Sequence, residues 1–156
     1  MYKRQPELNQ TFDGGRLTAV QGQPVGIAVA TDANVVLAPV VQTAADADLD
    51  ALASHSGELI SRARGGKIMA SDLVPAAITV SNLGMYGVTA FTAMVTPPQV
   101  MVLSVGAVRR IPVFNEADEV VARSVITLTL GSDHRVVNGA QAAAFLKAVV
   151  AGLENN

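Results

Sequence analysis

Ser132-Asp133-His134-Arg135-Val136-Val137-Asn138-Gly139 joins two segments of different periodicity. Before it, Ser124 to Leu130 reads as one strand, with Ile126, Leu128 and Leu130 alternating against Thr127 and Thr129. After it, Ala140 to Leu153 reads as an apolar helix with Ala142, Phe145, Leu146, Val149, Val150 and Leu153 on one face. A tight polar turn between a buried strand and a buried helix holds its side chains rigidly, and a general base needs that rigidity. His134 is therefore the candidate base. The bland alternative is a histidine that only caps local backbone groups. Asn138-Gly139-Ala140-Gln141 has the form of a capping box, with Asn138 as N-cap and Gln141 three residues on. Arg135 reads as a structural ion-pair residue whose partner is either Asp133 or a group outside this chain.

Working outward, Val100 to Val108 reads as a buried strand centred on Met101-Val102-Leu103-Ser104-Val105. Pro112 to Asp118 reads as a polar loop leading to Val120 and Val121. Thr96-Pro97-Pro98 breaks the chain. Ile78 to Ser81 is a short strand, followed by the glycine-punctuated loop Asn82-Leu83-Gly84-Met85-Tyr86-Gly87. That loop matches neither a dinucleotide fingerprint nor a phosphate-binding P-loop, because no glycine-rich turn opens a helix there. Asp48 to Arg64 is the plainest helix: Leu49, Leu52, Ala53, Ser56, Leu59, Ile60 and Ala63 share a face. Asp46, Asp48 and Asp50 crowd its start and Arg62 and Arg64 its end, as the helix dipole favours, and Gly65-Gly66 stops it. His55, on the flank of this face, reads as a surface residue without a role.

Val25 to Ala30 and Val35 to Val40 are valine-rich strands joined at Asp32-Ala33-Asn34, a hairpin whose second strand ends at Pro39 or lies at an edge. Asp13-Gly14-Gly15 is a turn before the short strand Arg16 to Val20. Pro6 to Phe12 reads as the end of a helix or a loop. Met1 to Gln5 is what GTG TAT AAG AGA CAG encodes with GTG as a start, which resembles the end of a transposon adaptor. We expect these five residues to be a non-native scar, the alternative being a short basic native tail, and residues 6–156 to be part of one domain whose N-terminal part is missing. The fold class is α+β: a mixed β-sheet with helices packed on it. The pattern alone does not give the strand order.

Half of the 156 residues are apolar and only 15% are charged, a low charge content for the surface of a small monomer. We expect apolar surface to be buried against other subunits. A formal charge of −2 offers no footprint for nucleic acid. Without cysteine there is no disulfide, thiolate zinc site or cysteine nucleophile, which fits a reducing, cytoplasmic setting. No apolar run reaches the roughly 18 residues of a membrane span, and no signal peptide is read at the start.

Ile78-Thr79-Val80-Ser81-Asn82-Leu83-Gly84-Met85-Tyr86-Gly87 resembles the serine-bearing segment of the 2-oxo acid dehydrogenase acyltransferases, the E2 cores. Ala93-Met94-Val95-Thr96-Pro97-Pro98-Gln99-Val100 and Val105-Gly106 continue the likeness. Asp133-His134-Arg135-Val136-Val137-Asn138-Gly139-Ala140 is similar to that family's catalytic signature, shared in outline with chloramphenicol acetyltransferase. The helix end Arg62-Ala63-Arg64-Gly65-Gly66-Lys67 also matches. The resemblance covers almost all of Pro6 to Leu153. It departs at Asn138, where the family usually has aspartate, with asparagine a tolerated variant there. The family's catalytic domain is also longer at its N-terminus, and its lipoyl and subunit-binding domains have no counterpart here.

The resemblance implies a chloramphenicol-acetyltransferase-like fold and transfer of an acyl group between dihydrolipoamide and coenzyme A, the lipoamide being carried on a lipoyl domain absent from this chain. It implies a homotrimer or larger core within a dehydrogenase complex, with His134 of one subunit facing Ser81 of its neighbour. His134 is then the general base and Ser81 the oxyanion donor, with Asn138 the third site residue. No metal is needed. A neutral imidazole suits removal of a thiol proton near pH 7, and a fixed hydroxyl suits stabilisation of the resulting oxyanion. Serine at a strand end also commonly bonds only to backbone. Two other readings stand beside this one: a non-catalytic or degenerate relative that builds a scaffold, and a chloramphenicol-acetyltransferase-like enzyme with a hydroxyl acceptor. The Ser-Asn-Leu-Gly segment and the Asp-His-Arg start favour the E2 cores.

Overall fold

The computed structural model describes residues 5–33, 35–42 and 48–154. Residues 1–4 of the expected scar, Asn34 of the expected hairpin turn and Asp46 before the first helix lie outside the described residues.

The core is a five-stranded mixed sheet. In chain order its strands are β3 (Val25–Ile27), β6 (Val40–Val41), β7 (Ile78–Asn82), β8 (Met101–Val105) and β11 (Leu128–Ser132). They lie side by side as β11-β8-β7-β3-β6. The pairs β3/β7 and β7/β8 are parallel, while β8/β11 and β3/β6 are antiparallel. Strand β8 has neighbours on both sides, and Met101 to Ser104 are all buried. Helix α2 (Gly139–Glu154) packs Phe145 and Val149 against Ile78, Met101 and Leu103. These residues form one core cluster with Leu8, Ala77, Val100 and Val137. The α+β class with a mixed sheet and two long helices is as read from the sequence.

Helix α1 runs Leu49–Arg64, with Asp48 as N-cap accepting from the Ala51 N–H at 2.8 Å. Of the expected apolar face only Leu59 and Ala63 are buried, and Leu49 is 79% exposed. Arg62 does more than answer the helix dipole: its Nη2 meets Asp72 Oδ1 at 2.8 Å. The valine-rich hairpin is present but broken once on each side. Strands β4 (Val29–Ala30) and β5 (Val36–Leu37) pair above β3 and β6. At the break the Pro39 carbonyl accepts from Ile27 N–H, while Ala28 N–H turns to Val80 of β7. Pro39 thus sits where no donor is required of it.

Three expectations need correction. Gln10–Asp13 is a strand, β1, paired antiparallel with β2 (Arg16–Ala19) around the Gly14-Gly15 turn; only Pro6–Leu8 is helical, as a single 3-10 turn. Pro112 to Asp118 is not one loop, because β9 (Arg109–Phe114) and β10 (Val120–Val125) form a hairpin of six paired residues a side. Ser124 to Leu130 is not one strand. Its first part belongs to β10 and its second to β11, with Ile126 and Thr127 between them. Here Val88 and Thr89 cross the ladder. Ala107 N–H donates to the Val88 carbonyl, Gly106 N–H donates to Thr127, and a Cβ on Gly106 would overlap the Thr89 carbonyl. Both long strands therefore break at the same level.

Gly26 of β3 lies opposite Thr79 of β7, and a Cβ there would overlap the Thr79 hydroxyl. Gly26→Ala is expected to cost about 1–3 kcal/mol in equilibrium denaturation, and adding Thr79→Ala to recover part of the loss. Equal stability of Gly26→Ala and wild type would contradict this packing.

Candidate active site

Ser81 is the fourth residue of β7, in register with Ser104 of β8 on one side. The chain beyond it is fixed by three features that the Asn82-Leu83-Gly84-Met85-Tyr86-Gly87 segment supplies. Asn82 Oδ1 accepts from Gly84 N–H at 2.8 Å, closing a turn. Gly84 approaches the Gly106 carbonyl so closely that a Cβ would stand 2.7 Å from it. Gly87 ends the 3-10 turn Gly84–Tyr86 at a φ of 76°, where glycine is favoured. Ser81 itself is half-buried, and its hydroxyl makes no hydrogen bond within the described residues. It borders a cleft of about 1010 Å³ between α1 and the sheet, whose wall includes Val25, Ile27, Leu52, Ile60 and Tyr86.

His134 sits in a turn built by Asp133. Asp133 N–H donates to Val100, extending the β8/β11 ladder by one bond. Its carbonyl accepts from Val136 and Val137 N–H, each at 2.9 Å, and its Oδ1 accepts from Arg135 N–H at 3.0 Å. The Arg135 guanidinium closes a fork on the same carboxylate, with Nε 2.9 Å from Oδ1 and Nη2 2.6 Å from Oδ2. Of the two candidate partners for Arg135, Asp133 is the observed one. This fork, with the Arg135 N–H second, holds the Asp133 carboxyl below its ordinary value of 3.8. It raises the Arg135 guanidinium in turn. The His134 side chain is exposed and makes no hydrogen bond within the described residues.

The capping box is formed as read. Gln141 N–H donates to Asn138 Oδ1 at 2.9 Å, and Asn138 N–H donates to Gln141 Oε1 at 3.0 Å. Asn138 thus spends its side-chain oxygen on the start of α2, not on His134.

Within one chain Ser81 and His134 do not meet. Ser81 is level with Ser104, and Ser104 with Thr129. Strand β11 continues three residues past Thr129 to Ser132, which is level with Met101 at the far end of β8. Three residues along and two strands across is a backbone separation of roughly 14 Å, before the His134 turn begins. That is more than the two side chains bridge together.

Residues 1–156 match the 2-oxoacid dehydrogenases acyltransferase (catalytic domain) family. The chain belongs to that family. It is 34% identical over 146 residues to the dihydrolipoyllysine-residue acetyltransferase component of the pyruvate dehydrogenase complex of Zymomonas mobilis, covering 94% of this chain and 33% of the relative. Among solved structures, it superposes with a TM-score of 0.86 and 34% identity on Azotobacter vinelandii dihydrolipoamide acetyltransferase. That structure addresses the role of one serine, one histidine and one asparagine in the catalytic mechanism, and the match covers 95% of this chain and 61% of that one. It also matches the cubic core of the pyruvate dehydrogenase multienzyme complex, with a TM-score of 0.84, 35% identity, and coverage of 94% of this chain and 60% of that one. The chain spans about a third of the length of the curated Zymomonas relative.

Because the folded Asp133 carboxyl is depressed, its pairing stabilises the turn above pH 3.8 and is lost as pH falls through the folded value. Asp133→Asn is expected to be less stable than wild type at pH 7, with the difference closing below about pH 4 in pH-dependent denaturation curves. A difference that persists unchanged at low pH would exclude the ion pair as its source. Asn138→Ala is expected to lose about 1 kcal/mol in the same measurement, and Asn138→Asp little.

Proposed function

We propose that this chain is the acyl-transfer part of a dihydrolipoamide acyltransferase, moving an acyl group between a dihydrolipoamide thiol and coenzyme A. The observation that carries the reading is the pair of polar side chains at opposite ends of one sheet, Ser81 and His134, both without a side-chain hydrogen bond among the described residues. Each half is rigidly built, yet neither is completed. Two copies placed so that the His134 turn of one meets the Ser81 strand end of the next make a whole site. The match to an assembled cubic core supports a multi-copy arrangement.

In such a site the His134 imidazole takes the proton of the incoming thiol. The thiolate sulfur then attacks the thioester carbonyl carbon, forming a C–S bond and moving charge onto the oxygen. The Ser81 hydroxyl donates to that oxyanion, an interaction absent from the ground state and worth a few kcal/mol at the barrier. Collapse breaks the bond to the departing sulfur, which regains a proton from the imidazolium. That collapse re-forms the C=O bond, and the proton taken by the imidazole is returned to the departing sulfur, so the exchange balances with no cofactor beyond the two thiol carriers. Coenzyme A and a lipoyl domain are the proposed substrates' carriers, and a trimer within a dehydrogenase complex the proposed setting.

Spacing supports the assignment of roles. In the Azotobacter enzyme the serine precedes the histidine by 52 residues and the asparagine follows it by four; here the intervals are 53 and four. Asn138 takes the third position as the residue that seats the helix directly after the base.

In the assembled protein Ser81→Ala is expected to lower kcat by about 10²-fold with little change in KM. Ser81→Ala and His134→Ala chains, each nearly inactive, are expected to regain activity when co-assembled, to a fraction set by mixing statistics. Mixed oligomers, verified by mass, that recover nothing would show that the site is not shared between copies.

A further inference from the structure

The Arg135 guanidinium is clamped from a second direction. Its Cζ stands 4.6 Å from the centroid of the Phe12 ring, a cation-π geometry. Phe12 belongs to β1, far from the signature in sequence, and is anchored independently: its N–H donates to the Pro98 carbonyl at 2.7 Å, and it packs against the core cluster. The Arg135 side chain is otherwise 67% exposed. An exposed ion pair of long side chains is ordinarily loose. Here one face of the guanidinium rests on a fixed ring while its edge grips Asp133, whose backbone closes the His134 turn.

From this arrangement we infer that Phe12 is a positioning residue for His134, acting through Arg135. The His134 ring has no hydrogen bond of its own among the described residues, so its placement is set by the backbone of its turn. That backbone is held by Asp133, Asp133 by the Arg135 fork, and the fork by the Phe12 ring. Misplacement of a base by about an ångström costs up to 10²-fold in rate, which makes such a support worth having. The inference rests on reading His134 as the base.

The test uses the assembled protein and three variants. Phe12→Leu keeps the apolar volume but removes the ring face, and is expected to lower kcat about tenfold with KM for coenzyme A unchanged. Phe12→Tyr, which restores a ring, is expected to restore kcat. Arg135→Met, made at the exposed end of the contact, is expected to lower kcat at least as far, and Phe12→Leu added to it to lower kcat no further. Losses that multiply in the double variant, or a Phe12→Leu protein with wild-type kcat, would overturn the inference. Should Phe12→Leu fail to fold, wild-type kcat in Arg135→Met would overturn it equally. Broadening of the His134 imidazole NMR resonance in Phe12→Leu, and its recovery in Phe12→Tyr, reads the positioning without any turnover. If the wild-type protein transfers no acyl group, the base assignment fails, while an unchanged resonance would refute the Phe12 support alone.

Discussion

The hydrogen-bonded position of β8, parallel to β7 on one side and antiparallel to β11 on the other, governs the rest of the molecule. The parallel register sets Ser81 level with Ser104. The antiparallel register sends β11 back past the same strand, so that Ser132 ends level with Met101. Because the two ladders run in opposite senses, the serine-bearing loop and the histidine-bearing turn leave the sheet at opposite ends. Met101 to Ser104 are buried on both faces of β8, so a one-residue slip in either ladder would exchange the side chains of the two faces and mismatch the packing on each; the register is strongly held. The positions of Ser81 and of the His134 turn inherit that rigidity.

Much of the candidate site was legible because its local structure follows from local chemistry. Asn138 and Gln141 satisfy each other's backbone donors, an arrangement visible as a spacing of three. Asp48 caps α1 for the same kind of reason. The Asn82-Leu83-Gly84 segment was recognisable as a pattern. Its physical cause, however, is a long-range contact with Gly106, which no local rule reports. Phe12 was missed altogether. Its segment is short, has mixed polarity and lies beside two glycines, so periodicity gives nothing, and its relation to Arg135 spans most of the chain.

The fold was legible where one periodicity ran unbroken and misread where two ladders shared a strand. Ser124 to Leu130 alternates without interruption, yet the chain changes partners at Ile126-Thr127 because Val88 and Thr89 intrude from elsewhere. The same intrusion separates β8 from β9. In β9 the arginine pair and Pro112 masked the strand character. The expected face of α1 was too wide, since only Leu59 and Ala63 of it are buried, while Leu49 is 79% exposed among the described residues.

The β9/β10 hairpin has hydrogen bonds only within itself among the described residues, and one of its faces carries Phe114 and Val120, paired across the strands and 73% and 65% exposed. An isolated two-stranded ribbon is at best marginal in water. Its opening therefore requires no rupture of the five-stranded sheet, and its local free energy is decoupled from that of the core. In a single chain this arm can open while the strands that carry Ser81 and lead to His134 stay paired.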